Sequence, residues 1–191
     1  MPSSEDTRLA EALSSQDWAT AERILKRRTA KSKASPADHF NLGVVQIEMG
    51  RYTRALAPLK RAAKMTPQDV VVWLQLGRAA LGAEDLAVAR TAFARAHALD
   101  PGNPVARSSH GKLSLRFGDW QAAEAALSGL NGAEAAALAY RAAAERGAEG
   151  ARDCLHDLLK RPETRSAAMK AMAKTARGRI PLRLPRADVG A

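Results

Sequence analysis

Residues 70–103 read VVVWLQLGRAALGAEDLAVARTAFARAHALDPGN, and this pattern specifies the architecture. Trp73, Leu76, Gly77 and Ala80 recur at three- and four-residue steps, and Ala89, Phe93 and Ala96 do the same further on. Both runs have helical spacing. Asp85 stands between them, where its side chain suits the N-terminus of a second helix. Pro101 closes the stretch. The sequence therefore predicts a helix, a tight turn and a second helix.

On either side the same pattern repeats in register. Trp18, Tyr52, Leu86 and Trp120 lie 34 apart at every step, as do Ala21, Ala55, Ala89 and Ala123. Leu25, Leu59, Phe93 and Leu127 form a third column. Gly43, Gly77 and Gly111 form a fourth, preceded by Leu42, Leu76 and His110, and Pro67 matches Pro101. Several independent columns in one register mark a repeat protein.

Each column carries a physical expectation. In residues 36–69, Phe40, Val44 and Ile47 form one helical run, and Ala55, Leu56, Leu59, Ala62 and Ala63 form the other. Gly50 between them can take the left-handed conformation that ends a helix. Asp17 and Asp119 occupy the turn that Asp85 occupies. Ser35-Pro36 and Asn103-Pro104 read as a capping residue followed by proline at the first helical position. Gly43, Gly77 and Gly111 fall inside the first helix, where glycine costs roughly 1 kcal/mol relative to alanine. Close approach of the alanine column of the paired helix is the expected compensation, with Trp18, Tyr52, Leu86 and Trp120 filling the gap between neighbours.

A repeating unit with these Leu-Gly, Ala, Phe or Leu, Ala and Pro columns resembles the tetratricopeptide repeat. Four units are expected, over 2–35, 36–69, 70–103 and 104–137. Unit 36–69 has His39 where a large aromatic is usual, unit 104–137 has Arg107 there, and unit 2–35 has Leu9 in place of the glycine. Divergence is expected of end repeats, which must face water. Beyond 137 the register decays. Residues 138–178 are expected to hold a degenerate hairpin and a capping helix, the helices themselves reading as 133–146, 148–161 and 163–177. Residues 179–191, with Pro181 and Pro185, read as an extended basic tail. The resemblance implies an all-α, right-handed α-solenoid of helix–turn–helix repeats with a helical C-terminal cap.

It also implies a concave groove lined by the first helices. The positions there that packing does not require are Phe40, Asn41, Val44 and Glu48, then Leu74, Gln75 and Arg78, then Ser108, Ser109, Lys112 and Arg116. Such a groove is apolar and amide-bearing at one end and basic at the other, which suits a peptide with apolar and acidic parts. Some family members clamp a C-terminal carboxylate with Lys and Asn on successive first helices. Here Phe40, Val44 and Leu74 neighbour Asn41, Arg78 and Lys112, so that clamp is not expected.

Composition narrows the function classes. Hydrophobic residues make up 46% of the 191 and aromatic residues 4%, so the apolar content is largely Ala and Leu, which favours packed helices over sheets. No segment approaches the ~20 apolar residues of a membrane span. Met1-Pro2-Ser3-Ser4-Glu5-Asp6 carries acid where a secretion signal carries base. With Cys154 as the single cysteine, a cytoplasmic location is expected. His39, His97, His110 and His156 lie at no metal-ligand spacing, and no phosphate loop or nucleophile–base set is present. Cys154 reads as a buried structural residue. No enzyme activity, metal or cofactor is expected.

The net charge is +10, and residues 160–191 hold nine basic residues against two acids. Most of the excess charge therefore sits in this segment. Three readings stand for it: phosphate contacts with nucleic acid, though without aromatics for stacking; a weakly amphipathic helix at an acidic surface; and, most plainly, a solvated helix and tail. The leading expectation is a scaffold or adaptor that holds a protein segment. The alternatives are a nucleic-acid-associated module, or the recognition arm of an enzyme whose catalytic part lies elsewhere. Self-association through an exposed hairpin edge, with Ile180-Pro181-Leu182-Arg183-Leu184 as a groove occupant, is a further option.

Overall fold

The computed structural model describes residues 4–175. Among them all regular structure is helical: α1 (Ser4–Ser14), α2 (Trp18–Thr29), α3 (Pro36–Glu48), α4 (Tyr52–Met65), α5 (Val70–Gly82), α6 (Leu86–Leu99), α7 (Pro104–Arg116), α8 (Trp120–Leu127), α9 (Ala133–Arg146), α10 (Ala151–Lys160) and α11 (Pro162–Ala173). The chain divides into two compact units, Met1–Leu113 and Ser114–Ala191. The expected tail 179–191, its Ile180–Leu184 stretch and the end of the expected 163–177 helix lie outside the described residues.

Turn chemistry sets the repeat. Asp17, Asp85 and Asp119 each accept a backbone N–H three residues on, from Thr20, Val88 and Ala122. Ser35 and Asp38 form a reciprocal capping box around Pro36, and the Asn103 amide oxygen accepts from Val105 and Ala106. Each such cap is worth about 1 kcal/mol. Just before the capping column the backbone turns left-handed at Gln16, Gly50, Glu84 and Gly118, with φ of 58°, 70°, 58° and 76°. The backbone thus keeps the repeat register even where the residue type does not. Two of the four bear a Cβ that this conformation disfavours by roughly 1–2 kcal/mol. Glu84→Gly is therefore expected to raise stability by about 1 kcal/mol, and Gly50→Ala to lower it by a similar amount. Urea midpoints of the two variants check both signs.

In the first unit the inner column differs from the sequence expectation. A methyl on Gly43 would overlap Cγ and Cδ2 of Leu59, and one on Gly77 would stand 2.7 Å from the Phe93 ring. The glycines thus receive the Leu59/Phe93 column, one turn beyond the alanines expected to face them. Those alanines, Ala55 and Ala89, are still fully buried. Tyr52 does fill a gap between repeats as expected: a methyl on Gly82 of α5 would meet its ring. His39, at the usual aromatic place, is buried, and burial together with nearby Arg61 lowers its pKa.

The first two repeats are joined by charge. Glu22 of α2 is buried, 9% exposed at its side chain, and accepts from Lys26 (2.9 Å), Gln46 of α3 (3.0 Å) and Arg51 (2.6 Å). Burial raises its pKa, but these three donors outweigh that and hold the carboxyl at about 2. Arg51 occupies the column where the other repeats place aspartate, and α4 has no side-chain N-cap. The second repeat has exchanged a cap for a bridge to its neighbour. At the next junction Leu56 stands in Glu22's place and packs against apolar core on both sides.

The second unit has its own core. α9 packs against α8, α10 and α11, and α10 against α11. Ala137, Tyr140, Ala144, Leu155, Leu158, Ala168 and Ala171 form its main core. α10, the second helix of the expected degenerate hairpin, starts at Ala151 rather than at 148, because Gly150 takes φ +80°.

Candidate protein-binding face

On each first helix the candidate groove positions lie along one side, because packing takes the rest of the helix. On α3, Leu42, Val45, Gln46 and Ile47 are buried, leaving Phe40, Asn41 and Val44 half-buried and Glu48 exposed. On α5, Leu76, Gly77, Ala79 and Ala80 are buried, leaving Leu74 and Gln75 half-buried and Arg78 exposed. On α7, Ser108 and Ser109 are half-buried and Lys112 is exposed, all within the first unit; Arg116, also exposed, belongs to the second. α3 and α5 touch directly.

Two pairs of these residues change the expected character of the face. Arg78 Nη1 donates to Glu48 Oε1 at 3.0 Å, so the basic group of α5 is tied to the acid of α3. Phe40 and Leu74 also pack against the core, so each contributes to folding as well as to the surface. Beside Phe40 lies a cleft of about 330 Å³ lined by Ser35, Pro36, Ala37, Thr66, Asp69 and Val72. The Gln75 amide oxygen is buried with no hydrogen-bond partner, and a buried acceptor left unpaired costs about 1–3 kcal/mol.

The histidines and the cysteine depart from the sequence reading. His97 of α6 and His110 of α7 meet with ring centroids 5.4 Å apart and planes tilted by 45°. They stand on different helices, a relation that spacing within one helix could not reveal. Among the described residues no group of three or more His, Cys, Asp and Glu converges to hold a metal. Cys154 is exposed on α10, not buried, because the α10 core side is taken by Leu155 and Leu158. Partial burial of its sulfur, with the carboxylates of Asp157 and Glu124, pushes the thiol above its ordinary pKa.

Of the nine basic residues in 160–191, Lys160, Arg161, Arg165, Lys170 and Lys174 are described, and all five are exposed. Among the described residues no helix is long and apolar enough to cross a membrane.

No family model matches the chain. Residues of this chain are 28% identical over 120 positions to Superkiller protein 3 of Schizosaccharomyces pombe, which is 63% of this chain and 8% of that protein. The matched segment is thus a small part of a much longer relative. Two solved structures share the architecture. A crystal structure of MamA protein matches with a TM-score of 0.67 at 18% identity, over 95% of this chain and 96% of that one. The pilF structure of Pseudomonas aeruginosa matches with a TM-score of 0.63 at 20% identity, over 91% and 83%. Together with the repeating sequence columns, these likenesses give the fold: an all-α solenoid of the tetratricopeptide-repeat type.

Proposed function

We propose that this tetratricopeptide-repeat chain is an adaptor that holds an extended segment of another protein along the α3, α5 and α7 face of its first unit. The observation that carries the reading is the chemistry left on that face once packing is satisfied. Phe40, Val44 and Leu74 offer apolar surface, and Asn41 and Gln75 offer amides between them. An extended peptide brings its own backbone N–H groups and alternating side chains. The buried Gln75 oxygen is an acceptor suited to such a donor. An acidic residue of the segment would meet Arg78 in exchange for Glu48, and Lys112 beyond it.

The test uses the full chain as bait at low and moderate salt, with nuclease, against Asn41→Ala/Gln75→Ala/Arg78→Ala. A protein partner that survives nuclease and is lost with the triple variant is the expected result, with the bait's melting temperature little changed. Capture that ignores these changes and disappears with nuclease or salt would instead assign binding to the basic residues of 160–191.

A further inference from the structure

The second unit carries a cleft outside the four recognisable repeats. It is about 500 Å³, within the range of ligand clefts, and lies between α9 and α11. Its floor is small: Ala137 and Ala171 are buried, and Ala167 is half-buried. Its walls are charged in an ordered way. Glu134 and Glu163 lie in the first turns of α9 and α11, while Arg141 and Lys170 each follow two helical turns later, with Lys174 beyond. Two full turns bring each acid and base to the same helix face. The cleft is thus lined by two carboxylates and three cationic groups.

One buried cationic group of the cleft is unsatisfied. Arg141 Nε is buried and has no hydrogen-bond partner. Among the described residues Arg141, Lys170 and Lys174 form no ion pair with any carboxylate, although Glu163 lines the same cleft. A guanidinium nitrogen removed from water and left unbonded is costly. Its natural complement is a carboxylate, which a guanidinium fork and two ammonium groups receive by charge-assisted hydrogen bonds.

We propose that the α9–α11 cleft is a second docking site, which takes an extended peptide segment by its acidic residues at Arg141, Lys170 and Lys174. Two features select a peptide over a nucleic acid. A strand of uniform negative charge lying along the cleft would be repelled at exposed Glu163. The alanine floor offers no aromatic platform for bases, whereas it lets a peptide backbone lie close. A segment with a few carboxylates among neutral residues satisfies Arg141 without crowding Glu163. This site is independent of the α3–α5–α7 face, so one can fail while the other stands.

The probe is a fluorescein-labelled dodecapeptide of Ala, Gly and Ser carrying a Glu-Glu pair, titrated with the full chain and read by anisotropy. A Gln-Gln counterpart controls for the carboxylates, and an unlabelled uridine oligonucleotide serves as competitor. The Glu-Glu peptide is expected to bind at least about tenfold tighter than the Gln-Gln peptide, the effect of losing charge-assisted bonds. Lys170→Glu and Arg141→Gln should each remove most of that difference. Arg152→Glu, an equal charge change to Lys170→Glu on exposed α10, should leave it within about twofold. The proposal is overturned if Arg152→Glu weakens binding as much as Lys170→Glu, if the two peptides bind alike, or if the oligonucleotide displaces the peptide. It is also overturned if Asn41→Ala/Gln75→Ala abolishes binding while Lys170→Glu does not. Lys170 is exposed, so Lys170→Glu should keep its helical circular dichroism; Lys174→Gln gives a second exposed variant with the same expected direction.

Discussion

Leu59→Ala is expected to destabilise the first unit by about 3–4 kcal/mol, and Gly43→Ala should then be tolerated in that background although it is harmful alone. Leu59 is fully buried and its branched end occupies the space a Gly43 methyl would need. Truncating it removes a buried side chain and leaves a void against α3. Gly43→Ala alone gains about 1 kcal/mol of helix propensity but forces Leu59 from its place, at a typical cost of about 1–3 kcal/mol. With Leu59 gone the clash is gone too, while the propensity gain and some cavity filling remain. The double-mutant cycle should therefore show coupling of about 1–3 kcal/mol with a change of sign for Gly43→Ala. Urea unfolding of the four proteins measures it. Additive effects would mean that the α3–α4 contact is not made through this pair.

Glu22→Ala is expected to cost about 3 kcal/mol at neutral pH, and to flatten the acid limb of the stability profile. The carboxyl, held at about 2 against an ordinary value of 4.5, is charged in the folded chain where the unfolded chain would already bind a proton. A lowered pKa contributes stability that is complete above the unfolded value. That contribution is lost as pH falls from about 5 toward 2. Wild type should therefore lose roughly 3 kcal/mol across that window from this group, and Glu22→Ala should lose correspondingly less. The variant also leaves the buried Gln46 amide without its acceptor, and Arg51 without its partner. Arg51→Asn should behave differently. It breaks the bridge but leaves Glu22 its Lys26 and Gln46 donors and restores a neutral side-chain cap to α4 worth about 1 kcal/mol, so its penalty should be the smaller of the two.

Periodicity made the helices and their turns legible, because Asp17, Asp85 and Asp119 cap by the same geometry in three of the four instances of one column. It could not say which of two residues on one face reaches a neighbour. Ala55 and Leu59 are four apart on the same side of α4, and only side-chain length decides that Leu59, not Ala55, seats on Gly43. The Glu22 bridge was signalled by an exception, Arg51 in an aspartate column, and an exception points to a partner only once the structure supplies it. The Glu48–Arg78 and His97–His110 pairs each join two different helices, between which sequence spacing carries no geometric information. The exposure of Cys154 and the charged α9–α11 cleft lie where the repeat register has decayed. There the sequence predicts helices without fixing which of their faces meet.

If the first-helix face of the first unit holds another protein, residues on that face must lie within crosslinking distance of it in the cell. Site-specific photo-crosslinking addresses this directly, with benzoylphenylalanine placed at Val44 or Gln75 on that face and, as the comparison, at exposed Lys60 on α4. The expected result is a discrete protein adduct from Val44 and Gln75 that is absent from Lys60 and is lost when Asn41→Ala/Arg78→Ala is added. Adducts from Lys60 alone, or the same adducts from all three positions regardless of those substitutions, would contradict it.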